Sequence, residues 1–207
     1  MIVRRVILLT LIFSLVFTAS LYADSRWGSF EGYSKAKVQV NDSEIAIADW
    51  EVPAFVVRGS TVLPIRKVAE SLQAIVKWDE ANQTAQIYKP NVHMFIAQHV
   101  SLQKDEYIIK TPFGKVTKGD TTDFVVFAQV DSLKLKASGF KISILTPSGK
   151  FATESKEVSL ADSSSSFWYP WPFKVYFAER GNYRVTFSFK DEKGDYYVVS
   201  EKLILAE

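Results

Sequence analysis

Tyr183-Arg184-Val185-Thr186-Phe187-Ser188-Phe189-Lys190 alternates apolar and polar side chains without a break. Successive side chains of a strand point to opposite faces, so Tyr183, Val185, Phe187 and Phe189 share one face, rich in aromatic rings. Turn signals flank the run, Glu179-Arg180-Gly181-Asn182 before it and Asp191-Glu192-Lys193-Gly194 after it. Working outward, similar runs recur at Tyr107 to Thr111, Asp123 to Val130, Phe140 to Leu145, Phe151 to Val158, Phe173 to Ala178 and Tyr196 to Leu205. Seven short runs separated by turns predict an immunoglobulin-like β-sandwich over residues 107–207.

The stretch before it has a different rhythm. Residues 24–35 are polar, carry Gly28 and Gly32, and read as a flexible lead-in. Val38 and Val40, the turn Asn41-Asp42-Ser43, then Ile45 and Ile47 read as a hairpin that Pro53 ends. Phe55-Val56-Val57, the turn Arg58-Gly59-Ser60 and Thr61-Val62-Leu63 give another pair of short strands. Pro64 suits the first turn of a helix, where its missing N–H is not needed. Ile65, Val68, Ala69 and Leu72 then fall on one face, with Arg66, Lys67, Glu70 and Gln73 on the other. Ala74 to Trp78 and Thr84 to Tyr88 predict a closing hairpin with Ala85 and Ile87 inward. Val92 to Leu102 extends this first module, and a linker is expected near Gln103 to Glu106. The fold class is therefore mainly β: an α+β module over 36–102, with one helix on an antiparallel sheet, followed by the sandwich.

Several pieces of the first module resemble the copper amine oxidase N-terminal domain, also called a stalk domain. They are Val38-Gln39-Val40-Asn41, Pro53, Gly59-Ser60-Thr61-Val62-Leu63-Pro64-Ile65-Arg66, Val68-Ala69-Glu70-Ser71-Leu72 and Val76-Lys77-Trp78-Asp79. The family usually has glycine where Asp42 stands, arginine where Ser60 stands, and Leu-Gly where Leu72-Gln73 stand. The resemblance implies an accessory stalk rather than the oxidase's catalytic domain, and it implies no copper. It also implies an exported protein of a Gram-positive bacterium, since the module recurs there beside other envelope domains.

The first 23 residues read as a secretory signal peptide. Arg4 and Arg5 open it, Val6 to Phe17 are apolar except for Thr10 and Ser14, and the expected cleavage follows Ala23. The apolar core is about a dozen residues, whereas a spanning helix needs roughly 20. Retained uncleaved, the same stretch would be an anchor. Cleavage leaves 184 of the 207 residues and lowers Lys+Arg from 25 to 23, equal to the 23 Asp+Glu. The sequence pI of about 8.6 thus partly reflects the signal. A neutral mature chain gives no electrostatic case for nucleic acid, and no second long apolar run points to a membrane. The chain has no cysteine, which excludes lipidation of the bacterial lipoprotein kind and leaves packing alone to hold the fold.

Catalytic machinery is not visible. There is no thiol, no G-x-S-x-G elbow and no phosphate loop, and Asp105-Glu106 and Asp191-Glu192 lie in turns where solvated charge is expected. His93 and His99 stand six apart in a strand-like run, roughly 20 Å at strand rise, too far to share a metal. No catalytic residue, cofactor or metal is therefore expected. Arg66 has two readings: a ligand-binding arginine, or a partner of Asp79 or Glu80. Lys134, Lys136 and Lys141 read as a solvated basic loop. Phe167-Trp168-Tyr169-Pro170-Trp171-Pro172-Phe173 packs five aromatics and two prolines into seven residues, beside the loop Ser163 to Ser166. It reads either as an interaction surface of Trp168, Tyr169 and Trp171, or as a plug in which Phe167, Trp171 and Phe173 close one end of the sandwich. The sequence therefore predicts a secreted, non-catalytic structural or binding protein of the cell envelope or extracellular space. Its expected partner is an extracellular protein or a cell-wall polysaccharide. The alternatives are a carbohydrate-binding accessory module and an oligomerising subunit of an extracellular fibre or complex.

Overall fold

The computed structural model describes residues 27–160 and 165–207. The expected signal segment, with its cleavage after Ala23, lies outside the described residues, as does part of the Ser163 to Ser166 loop. By backbone contacts the chain divides between Pro64 and Ile65, and each part is described by itself.

Residues 27–64 form three small antiparallel hairpins, β1 (Ser29–Phe30) with β2 (Tyr33–Ser34), β3 (Gln39–Val40) with β4 (Ser43–Glu44), and β5 (Phe55–Val57) with β6 (Ser60–Val62). Each turns on two residues with positive φ: Glu31 and Gly32, Asn41 and Asp42, Arg58 and Gly59. That is the turn whose twist matches paired strands. The segment 24–35, expected as a flexible lead-in, thus contains a hairpin from Ser29. Its Phe30 and Tyr33 rings lie 5.5 and 5.8 Å from Phe55. Ala54 is fully buried.

In the second part, α1 (Ile65–Ser71) precedes the hairpin of β7 (Ile75–Asp79) and β8 (Thr84–Tyr88). The helix ends in a Schellman cap. Gln73, at φ 58°, takes the left-handed position, its N–H donates to the Glu70 carbonyl (2.9 Å), and the Ala74 N–H donates to the Ala69 carbonyl (2.8 Å). Of the expected inward helix face, Ala69 is buried, whereas Ile65 and Leu72 stand nearly half exposed. On β8 the phase is opposite to the expectation. Ile87 is exposed, and Tyr88 packs against the main core.

The sandwich begins earlier than expected. β9 (Asn91–Gln103), which the sequence assigns to the first module, pairs with β12 (Thr121–Asp131), with Phe127 opposite Phe95 and Val130 opposite Val92. The expected linker near Gln103 is the turn to β10 (Glu106–Pro112), with Lys104 and Asp105 at φ 48° and 66°. One sheet therefore runs β10-β9-β12-β16, ending on β16 (Phe167–Tyr176). The other runs β11-β18-β17-β13-β14, made of β11 (Lys115–Val116), β18 (Tyr196–Ala206), β17 (Gly181–Lys190), β13 (Gly139–Leu145) and β14 (Phe151–Glu154), with β15 (Val158–Ser159) also on β13. The chain crosses between sheets after β10, and β11 runs parallel to β18.

Both inner faces are apolar. Val92, Met94, Ile96, Phe124, Val126 and Phe173 meet Phe140, Ile142, Ile144, Tyr183, Val185, Phe187 and Phe189. Phe140 stacks on Phe187 at 4.9 Å. The Tyr183 hydroxyl accepts the Glu179 N–H at 2.9 Å, from a ring with no exposed surface. This tie across the corner before the strand is a hallmark of immunoglobulin-like sandwiches. With its strand order, it makes the fold an immunoglobulin-like sandwich.

Candidate functional site

β16 lies at the edge of its sheet, where prolines are tolerated because one side of the strand makes no ladder bonds. Residues two apart send their N–H groups the same way, so the donors missing at Pro170 and Pro172 fall on one side. Alternation then separates the three aromatics expected to act together. Tyr169 and Trp171 turn inward, stack on each other at 5.9 Å, and pack against the core, with Tyr169 edge-on to Phe140 at 5.0 Å. Trp168 turns outward and is 50% exposed. Phe167 packs inward beside Phe140, and Phe173 is buried.

The partners that Trp168 does meet were not expected. Tyr107 of β10 and Phe127 of β12 lie 5.8 and 6.2 Å from it and 5.0 Å from each other. Phe127 carried a legible signal. Phe124, Val126, Ala128 and Val130 share the inward phase of β12, and Phe127 is out of step with them. Tyr107 carried none, because it reaches Phe127 from a strand that pairs only with β9. Phe95, 46% exposed and opposite Phe127, extends the outward patch. Rings in tilted or edge-on contact hold one another's rotamers, so this surface is rigid as well as apolar.

Charged groups gather on the outer face of the other sheet. The Tyr196 hydroxyl donates to Glu157, and Lys190 reaches both Glu157 oxygens at 2.9 Å. Lys141 pairs with Glu154 at 3.0 Å and stands 4.4 Å from the centre of the Tyr196 ring. The Tyr196 hydroxyl bond, then Lys190, holds the Glu157 carboxyl below its ordinary value. Burial and then the Glu157 carboxylate push the Tyr196 phenol up to about 12. The network holds the Tyr196 ring neutral and in place.

Arg66 donates to the Val76 carbonyl at 3.1 Å, so its partner is neither of the expected acids. Asp79 instead accepts from Asn82 and Gln86, and Glu80 from the Trp78 indole. Lys134 and Lys136 are exposed, while Leu135 between them joins the core. His93 and His99 both lie exposed on β9. Among the described residues no three of His, Cys, Asp and Glu gather to hold a metal, and the chain has no cysteine. This donor set does not fit the copper centre that a name containing copper amine oxidase calls to mind.

No curated protein matches the chain. Among solved structures, it is similar to the PmoD soluble domain from Methylocystis sp. ATCC 49242 (Rockwell), at 10% identity, with a TM-score of 0.35, covering 64% of this chain and 96% of that one. A likeness of that degree carries no argument. The model of one family, described as the copper amine oxidase N-terminal domain, matches residues 35–117, from just after β2 to just past β11. That stretch of the chain is accordingly a copper amine oxidase N-terminal-like region.

Proposed function

We propose that this is a secreted, non-catalytic binding or structural protein of the bacterial cell envelope or extracellular space. The observation that carries the reading is the outward cluster of Trp168, Tyr107 and Phe127 on a rigid sandwich sheet. Trp168, half exposed and braced by the partly buried Tyr107 and the buried Phe127, suits contact with a partner, since such residues dominate binding energy once covered. Three further features support the reading. The first 23 residues have the three-part pattern of an export signal, the mature charge balance is neutral, and the family matched over 35–117 is an accessory, non-catalytic domain. The partner we favour is an extracellular protein or a wall polysaccharide.

The test is retention of the mature protein on isolated cell walls and on proteins of the culture supernatant. The reading predicts retention, with Trp168→Ala releasing most of the bound protein. Equal retention of Trp168→Ala would remove the patch from the account, and no retention on either material would remove the binding role.

A further inference from the structure

The outer face of the β11-β18-β17-β13-β14 sheet carries an open-sided cleft of about 530 Å³, bordered on one side by the end of α1. Its floor consists of hydroxyl side chains. Ser143 and Thr186 are cross-strand partners, and Ser188 follows two residues along β17. All three are buried, although they belong to the face turned away from the core. Short side chains there leave a trough that longer ones on the neighbouring strands enclose. At one end stands the Tyr196 ring that Glu157 and Lys141 fix in position, and on the β14 side stands Phe151, 65% exposed, with the Lys141 ammonium 5.9 Å from its ring. At the other end stands the Arg184–Glu201 pair, 3.6 Å apart.

We propose that this cleft binds a neutral saccharide. Its volume lies within the roughly 300–1,000 Å³ of ordinary small-molecule sites. The charges on its lining cancel, Lys141 and Arg184 against Glu70 and Glu201, so it attracts neither anions nor cations over distance. The Ser143 and Ser188 hydroxyls and the Gln73 amide each donate and accept, and the Thr186 hydroxyl, which donates to the Ser143 carbonyl at 3.3 Å, can accept, which matches sugar hydroxyls that must do both. The Phe151 and Tyr196 rings supply the apolar surface on which the C–H face of a sugar ring rests. Because Tyr196 is already held by its partners, little side-chain freedom is lost on binding. An extended peptide finds less here. β17 lies between β13 and β18, each of which has a further strand on its other side, so no backbone ladder is open beneath the cleft.

This inference goes beyond the proposed function: it assigns a second site, on the sheet opposite the Trp168 cluster, and it is independent of where the protein is exported. The experiment titrates the full chain with neutral tetrasaccharides of three linkages: a β-1,4-glucan, a β-1,3-glucan and a β-1,4-linked N-acetylglucosamine chain. Calorimetry reads affinity, and amide shifts read position. The expected result is binding of at least one, with shifts confined to the strands around Ser143, Ser188 and Val198. Phe151→Ala, at an exposed position where folding is not at stake, should weaken binding about 10-fold by removing one stacking ring. Ser188→Leu, which fills the floor, should abolish binding. Trp50→Ala, at an 88% exposed position outside both surfaces, should leave it unchanged. Saccharide binding lost with Trp168→Ala but kept with Phe151→Ala and Ser188→Leu would move the sugar to the other sheet, overturning the cleft while sparing the binding role. No saccharide binding at all, or peptide binding alone at this cleft, would overturn the proposal whatever the result with cell walls.

Discussion

The hairpins of residues 27–64 and the sandwich of residues 91–207 use the same turn chemistry but rest on different physics. Asn41-Asp42 and Lys104-Asp105 are both two-residue turns with positive φ. The strands they join differ. Those of the hairpins are two or three residues long and bury little beyond Ala54, while Trp50 is 88% exposed. The sandwich strands reach 13 residues, and their inner faces interlock into one apolar cluster. Short hairpins are marginal without a shared hydrophobic face. The first region is thus held by local turns and a few ring contacts, the second by long-range packing.

Mutation should separate the two regimes. Phe187→Ala removes a fully buried ring stacked on Phe140 and should destabilise the sandwich by about 3–5 kcal/mol in denaturant unfolding. Phe55→Ala, which loses the contacts to Phe30 and Tyr33, should leave that same transition unmoved and speed amide exchange within 27–64. If both variants shift one common transition equally, the contrast between the regions fails. Tyr183→Phe tests the corner itself. It leaves the Glu179 N–H without its acceptor and should cost about 1–3 kcal/mol, with no change in the aromatic packing.

A gain is expected at two turns. Gln73 and Asp42 both hold left-handed φ, of 58° and 61°, a region that glycine adopts at no steric cost. Gln73→Gly should therefore stabilise by about 1 kcal/mol, and Asp42→Gly should raise protection of the β3–β4 hairpin. A loss in either would mean that the side chain does more than fill the turn.

The smallest effect is in the pH profile. Glu157 has a lowered folded value, so its contribution is present above the ordinary carboxylate range and disappears as pH falls through that lowered value. Tyr196, pushed up to about 12 from 10.0, has the opposite sign. Its contribution is present below its ordinary value and is lost as pH rises through about 12. Glu157→Gln should flatten the acid limb of the thermal-stability curve and lower the Tyr196 titration seen by absorbance. An unchanged tyrosine titration would contradict the contact.

The sequence was most informative where periodicity was long. Tyr183 to Phe189 marked the core of the sandwich because four alternating residues leave one choice of face. Val92, Met94 and Ile96 alternate equally well, yet alternation does not name the partner strand, and β9 proved to pair with β12. On β8 the pattern is too short to fix the phase: five residues between two turns let Ile87 face outward. The aromatic segment shows the same limit at a functional surface. Composition drew attention to Trp168, Tyr169 and Trp171 together, but strand geometry keeps only Trp168 outside and sets it beside Phe127 of the adjoining β12 and Tyr107 of β10. The hydroxyl floor of the cleft left no mark in the sequence, because Ser143, Thr186 and Ser188 are ordinary polar positions until register brings them side by side.

The central claim is that the protein works outside the cell as a binding module. The most direct measurement is the mass of the protein recovered from cytoplasm, cell wall and culture medium. The account predicts a 184-residue species beginning at Asp24 in the wall or medium, which cleavage after Ala23 would leave. A 207-residue species confined to the cytoplasm would contradict it.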